Sequence, residues 1–184
     1  MGELIFPLLT TDRLMLRELT TADGPEVRRM AGEKEVACNA LNMPYPYLEG
    51  MAEEWIESLD KDFQAERSVV FGVCLLKENK LAGAIGLTIQ KQYRVAEMGY
   101  WIGREYWNKG YCTEAVMAVL NYAFNELNLH KVSANDFANN KASGRVMEKA
   151  GMHFEAVLKS HMWHWESYKD LVYYSIFNPE HKVQ

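Results

Sequence analysis

The run Trp107-Asn108-Lys109-Gly110-Tyr111-Cys112-Thr113 has the residue types and order of an anion cradle. It follows an apolar, strand-like stretch, Ala96 to Gly103, and opens an amphipathic, helix-like one, Glu114 to Leu127. The first N–H groups of a helix have no intrahelical partner, and the helix dipole adds partial positive charge at that end. Gly110 lets a ligand approach the backbone or supplies an unusual φ. Lys109 adds mobile charge, Thr113 is the expected N-cap, and Glu114 places acid where the dipole favours it. The pattern suits a pyrophosphate, although a glycine also precedes many helices that bind nothing. Lys109 precedes Gly110, so there is no Gly-Lys-Ser/Thr loop for a nucleoside triphosphate, and G-x-G-x-x-G is missing too.

Other side chains could move protons or hold a ligand. Glu97 shares a strand face with Val95, Gly99 and Trp101. It is either a proton acceptor or the partner of a nearby cation. His161 and His164 lie in the aromatic segment His161-Met162-Trp163-His164-Trp165, on opposite faces by strand parity. Either ring could take a proton near neutral pH or simply be packed. Asn140 and Ser143 open a helix-like run, where contacting a ligand and capping the helix are compatible tasks. Arg145 is a phosphate contact or a surface charge, and Cys112 reads as a small packing residue. Tyr45, Tyr47, Trp163, Trp165 and Tyr168 either wall a channel or cover core.

The elements that must position these groups follow from periodicity. Arg13 to Leu19 alternates as a first strand. Thr20, Thr21 and Asp23 carry capping chemistry, and Pro25 sits early in a helix to about Ala31. Asn42 to Pro46 is a loop, because each proline turns its predecessor out of helix. Met51, Trp55, Ile56, Leu59 and Phe63 recur at helical spacing between Glu49 and Phe63. Ser68 to Leu76, Leu81 to Ile89 and Val95 to Gly103 form an antiparallel meander, turning at Lys77 to Lys80 and at Gln90 to Tyr93. Lys131 to Ala134 is a short strand expected beside Val95. Gly151 stops the helix Ala142 to Ala150. His153 to Trp165 and Tyr168 to Phe177 are long strands joined at Glu166-Ser167. The order β-α-α-β-β-β-α-β-α-β-β predicts an α+β fold with one mixed, mostly antiparallel sheet, in a single domain over residues 1–184 with its core at about 10–178.

Composition narrows the partners. The chain has 184 residues, 48% of them hydrophobic and 24% charged, as a globular protein with a sizeable core does. A net charge of −5 argues against non-specific nucleic-acid binding. Cys38, Cys74 and Cys112 are scattered thiols that suit a reducing cytoplasm and neither a disulfide framework nor a metal site. No apolar run reaches membrane-spanning length, and no signal peptide is legible. A monomer and a homodimer are equally compatible with this sequence.

The order of elements, with the Trp107 turn at its centre, resembles the GNAT superfamily of acetyl-CoA-dependent N-acetyltransferases. Five stretches are similar to its RimJ/RimL branch, which acetylates N-termini of ribosomal proteins, and to small-molecule relatives. They are Arg13 to Arg17, Ala96 to Ile102, Trp107 to Ala115, Asn140 to Met152, and Tyr168-Lys169-Asp170, spanning nearly the whole chain. The superfamily's pyrophosphate loop reads Gln/Arg-x-x-Gly-x-Gly/Ala. Here Trp107 takes the first place and Cys112 the last. A tyrosine that many members use to protonate the leaving thiol is Met147 here, and the resemblance implies Ser143 in that role. A carboxylate that some members place in the penultimate strand falls near Met162. These departures keep a non-catalytic acyl-CoA-binding module as the alternative.

Acetyl transfer needs a neutral amine, a polarised carbonyl and a departing thiolate. An N-terminal amine titrates near about 8 and a lysine near about 10.4, so the former loses its proton more readily. A thiol at roughly 8.5 leaves with mild acid assistance, and orientation supplies much of the rate. The resemblance implies that a splayed strand around Trp101, Ile102 and Gly103 holds the pantetheine and polarises the thioester. It also implies that Trp107, Asn108, Lys109, Gly110, Tyr111, Cys112, Thr113, Asn140, Ser143 and Arg145 contact the cofactor. Glu97 is the implied general base, with His161 its rival. No metal is expected. The acceptor is a primary amine, on a protein N-terminus or a small molecule.

Overall fold

The computed structural model describes residues 3–180. The chain opens with β1 (Leu9–Thr10) and β2 (Leu14–Glu18), then α1 (Gly24–Ala31), α2 (Lys34–Ala37) and α3 (Met51–Gln64). The meander is β3 (Ser68–Leu75), β4 (Lys80–Gln90) and β5 (Val95–Ile102). After it come α4 (Tyr111–Asn125), β6 (Lys131–Phe137), α5 (Lys141–Lys149), β7 (His153–His164) and β8 (Ser167–Phe177). All eight strands form one sheet in the order β1-β2-β3-β4-β5-β6-β8-β7. Every pairing is antiparallel except β5 with β6, where Val95 lies opposite Lys131 as the spacing predicts.

Alternation decides which face each strand buries. Leu14, Leu16, Phe71, Val73, Ile85 and Leu87 turn to one face and are at most 1% exposed. α4 covers that face with Val116, Val119 and Ala123, and Tyr122 meets the Phe71 ring edge-on at 5.8 Å. Each such side chain contributes about 1.5–3 kcal/mol of transfer free energy. α1 and α3 lie on the other face, where Met30 packs so closely on Gly103 that a Cβ there would collide with its sulfur.

Three boundaries differ from expectation for identifiable reasons. α4 starts at Tyr111 with Gly110 as its cap, three residues before the cap expected at Thr113, because Gly110 takes φ +80° and turns the chain early. β6 runs on to Phe137, since β8 pairs along its whole length to Phe137 opposite Leu171. The last hairpin turns on Trp165 and Glu166, both at positive φ, one residue before the expected joint. The helix α2 and the two-residue β1 carry too little periodicity to be read. Gly151 does take the left-handed conformation, φ +85°, expected just beyond α5.

Candidate active site

The parallel pair β5 and β6 separates partway. Their pairing runs from Val95 with Lys131 to Met98 with Ala134, while β5 continues beside β4 to Ile102. Bonded and non-bonded pairs alternate along an antiparallel ladder, and Gly103 N–H donates to Ala82 O at 2.8 Å. Gly103, Trp101 and Gly99 therefore spend their backbone groups on β4. The groups that face the gap belong to Tyr100 and Ile102, and the Trp107 indole donates to Ile102 O at 2.7 Å. The free edge is thus carried by Tyr100 and Ile102, where the expectation had spread it over Trp101, Ile102 and Gly103.

The loop beside that gap is rigidly held. Asn108 and Gly110 both have positive φ, and the first intrahelical bond runs from Glu114 N–H to Gly110 O at 3.1 Å. The N–H groups of Tyr111, Cys112 and Thr113 precede that bond and lie in the first turn, at the positive end of the α4 dipole. Arg13 straps the loop to β2. Its guanidinium donates to Lys109 O at 2.9 Å, pairs with Glu114 and lies over the Tyr111 ring. Burial pushes the Glu114 carboxyl up, but hydrogen bonds from Thr11 and Arg13 outweigh it and hold it below the ordinary range. Cys112 is half-buried and its thiol is pushed up to about 12 by burial, so it remains protonated and packs. Lys109 extends its ammonium over the Tyr106 ring at 5.6 Å.

Across the gap stands the start of α5. Asn140 Oδ1 accepts Ser143 N–H at 3.3 Å, which makes Asn140 the N-cap. The Ser143 hydroxyl meets the Tyr100 hydroxyl at 2.8 Å, so β5 and α5 are bridged below the split. Burial drives the Tyr100 phenol far above its usual range, and it stays a neutral donor. Asp136 is buried against the same turn of α5, where a Cβ on Gly144 would stand 3.6 Å from its Oδ2. Arg145 is exposed on the outer side of α5. Met147 is fully buried and supplies no proton donor.

The opposite face of the split carries Glu97. It is exposed and accepts a hydrogen bond from Asn135 Nδ2 at 2.9 Å. A carboxylate only accepts, so the amide must turn its nitrogen to Glu97, and Asn135 Oδ1 is left buried with no partner among the described residues. His161 is exposed on the outer strand β7, within the shift in register between Leu158 and Met162. His164 is buried, its ring tilted against Phe137 at 4.7 Å, with Nε2 unpartnered among the described residues. Trp165 follows it and packs on Tyr45 at 4.9 Å, whereas Trp163 and Tyr168 pair on the exposed hairpin. Asn135, Asp136 and Tyr100 carry no signal in spacing, since each becomes significant only through what the sheet sets beside it. Among the described residues no cluster of His, Cys, Asp or Glu could hold a metal ion, and no helix is long and apolar enough to cross a membrane.

Comparison with known proteins bears on the same features. A family described as Acetyltransferase (GNAT) domain matches residues 13–153. An uncharacterized N-acetyltransferase, YoaA of Bacillus subtilis, is 32% identical over 181 residues, covering 95% of this chain and 99% of the relative. A putative ribosomal N-acetyltransferase of the same organism, YdaF, is 32% identical over 132 residues, 70% of this chain and 72% of that one. The crystal structure of a GNAT-family acetyltransferase from Bacillus anthracis superposes with a TM-score of 0.84 at 28% identity, covering 95% of this chain and all of that one. A strand pair that parts beside a left-handed glycine at a helix head, inside a matching sequence that spans most of the chain, has one economical explanation: the chain belongs to the GNAT family of acetyl-CoA-dependent acetyltransferases.

Proposed function

We propose that this enzyme transfers the acetyl group of acetyl-CoA to a primary amine, by direct attack in a ternary complex. The observation that carries the reading is the parting of β5 from β6 next to the head of α4. The gap is lined by backbone groups of Tyr100 and Ile102, and a thioester carbonyl there would meet an N–H already aimed and desolvated. The residues present suit the co-substrate. The N–H groups of Tyr111, Cys112 and Thr113 would hold the pyrophosphate, with Asn108, Lys109 and Gly110 shaping the turn. A side chain at Gly110 would be strained at φ +80° and would stand 3.3 Å from Arg13 Nη2. Trp107, Trp101 and Gly103 border the strand edge, Asn140 and Ser143 would flank the pantetheine, and Arg145, exposed on α5, would reach out to a phosphate.

Glu97, on the opposite face of the split, takes the proton of the attacking amine, and Ser143 gives one to the leaving thiolate. His161 is the rival acceptor. YdaF, by its name, supports a ribosomal-type protein N-terminus as the acceptor class, alongside small amines. Free thiols at Cys38, Cys74 and Cys112 fit a cytoplasmic setting. The test is a panel of acceptors, namely peptides with N-terminal alanine, serine or methionine, spermidine and free amino acids, with thiol release from acetyl-CoA as the signal. Release well above the amine-free rate with at least one acceptor is expected. Background release with all of them, despite acetyl-CoA binding, would leave a non-catalytic acyl-CoA-binding module.

A further inference from the structure

Tyr100 enters the reading above only through its backbone, yet its hydroxyl lies against the proposed proton donor. Alternation sends the side chains of Ala96, Met98, Tyr100 and Ile102 to the face that α4 covers, and the other three are buried there. The pairing of β5 with β6 ends at Met98, so Tyr100 is the next side chain on that face after the strands have parted. Its hydroxyl oxygen stands 2.8 Å from Ser143 Oγ and donates to Ser143 O at 3.3 Å. Ser143 is itself fixed at the head of α5, because its N–H donates to the Asn140 cap at 3.3 Å. Met147, one turn further along α5, is fully buried and has no proton to give. Each hydroxyl of the pair carries one proton, and either can be the donor. In one arrangement the Ser143 O–H donates to Tyr100 and the Tyr100 O–H donates to Ser143 O. In the other the Tyr100 O–H donates to Ser143 Oγ, and the Ser143 proton points out of the pair. Changing from the first to the second forfeits only the bond at 3.3 Å, which is longer than the usual O–H···O range of about 2.5–3.0 Å.

We propose that Tyr100 is the positioning residue that turns the Ser143 proton toward the sulfur of coenzyme A and supports the seryl oxygen as that proton departs. The proposal rests on the acetyltransfer reading above. As the carbon–sulfur bond breaks, its electron pair stays on sulfur and the Ser143 proton passes to it. The Tyr100 O–H donates to Ser143 Oγ throughout, so the charge left there is shared by two oxygens. Ser143 regains a proton from solvent and Glu97 releases the amine's proton to solvent, so the products are the amide and the thiol. A hydrogen bond to an ionised acceptor is roughly twice as strong as a neutral one, so charge developing on sulfur favours the second arrangement. Hydrogen bonds in a chain also polarise one another where water is excluded. Burial holds the Tyr100 phenol far above its usual range, so it keeps its proton and acts only as a donor. Around the pair stand Cys112 from α4, Asp136 from β6 and, from β8, Tyr174, whose hydroxyl donates to Glu148 at 3.5 Å.

The experiment titrates the thiol of bound coenzyme A by its thiolate absorbance. The spectrum of the complex with desulfo-coenzyme A is subtracted, which cancels the protein's own cysteines and tyrosines. Relative to wild type, the bound thiol should titrate about one pH unit higher in Ser143→Ala and about half a unit higher in Tyr100→Phe, since each loses support for the thiolate. Fluorotyrosine introduced at position 100 keeps the hydroxyl and makes it a stronger donor, so the thiol should titrate lower than in wild type. Adding Tyr100→Phe to Ser143→Ala should change nothing further, because Tyr100 acts through Ser143. With any acceptor of the panel that is turned over, Tyr100→Phe should lower kcat roughly tenfold while the KM for acetyl-CoA stays within about twofold. Equal titrations of the thiol in wild type, Tyr100→Phe and the fluorotyrosine protein would overturn the proposal. So would a Tyr100→Phe effect that persists undiminished without Ser143. Should Tyr100→Phe lose its fold, the fluorotyrosine protein decides alone. Failure of both coenzyme A and desulfo-coenzyme A to bind the wild type would instead strike the acetyltransfer reading.

Discussion

Glu97 and Asp136 occupy neighbouring strands yet differ in what surrounds them. Glu97 faces solvent and one amide; Asp136 is buried against the first turn of α5 and lines a polar cavity. If Glu97 takes the amine proton, Glu97→Gln should lower turnover roughly 10²-fold at neutral pH. Acetyl-CoA affinity by calorimetry should stay within about twofold, and rate should recover at high pH, where solvent deprotonates the amine. Full activity of the variant at neutral pH would pass the role to His161. Asp136 makes a separate prediction on stability. Its carboxyl moves from 3.8 to about 6 on folding, so the folded chain holds this proton more tightly. The contribution to stability is complete below pH 3.8 and is lost as pH rises through about 6. Asp136→Asn removes that loss. Relative to wild type, urea denaturation should show the variant gaining about 1–2 kcal/mol between pH 4 and pH 7.5, discounted for solvent in the adjoining cavity. A pH-independent difference would mean that Asp136 ionises alike in both states.

At the scale of elements, the cradle depends on where α4 begins. The early start comes from one left-handed glycine and is secured by Arg13, which reaches Lys109 O and Glu114 from β2. Gly110→Val would force a branched side chain into φ +80° and against that guanidinium. Acetyl-CoA should bind at least about tenfold more weakly, measured by calorimetry, while circular dichroism stays unchanged. An intact variant that binds as tightly as the parent would place the pyrophosphate elsewhere. The composition of the loop was legible in the sequence: tryptophan, lysine, glycine, then an amphipathic run. Its boundary was not, because Thr113 has the better capping side chain in isolation and only the backbone angle at Gly110 overrides it.

The whole molecule should respond to its co-substrate as a unit, since the cradle joins β2, α4 and the β5 edge. A ligand selective for the folded state at about 100 times its Kd adds about 2.7 kcal/mol. For a chain of this size that is a rise in Tm of roughly 5–10 °C with acetyl-CoA, read by differential scanning fluorimetry. No rise at saturating acetyl-CoA would count against catalysis and simple binding alike.

By itself the sequence determined the class of fold and the place of the cradle. Both rest on signals local in the chain: alternation in β3 to β5, a glycine at a helix head, an Asn-x-x-Ser capping turn. It also placed Lys131 beside Val95, since a strand–helix–strand unit returns in parallel. What only the tertiary structure decided is which groups meet. Tyr100 and Ile102 own the open edge because the register to β4 assigns Trp101 and Gly103 away from it. Asn135 turns to Glu97 because the parallel pairing sets Glu97 opposite Ser133, two residues before Asn135 on the same strand face. Asp136 and Gly144 stand at a spacing in the chain that signals nothing, and they meet only because α5 folds back over β6, where a Cβ on Gly144 would stand 3.6 Å from Asp136 Oδ2. Proton chemistry depends on distances of a few ångströms and on burial, and neither is set until strands from distant parts of the chain have chosen their partners.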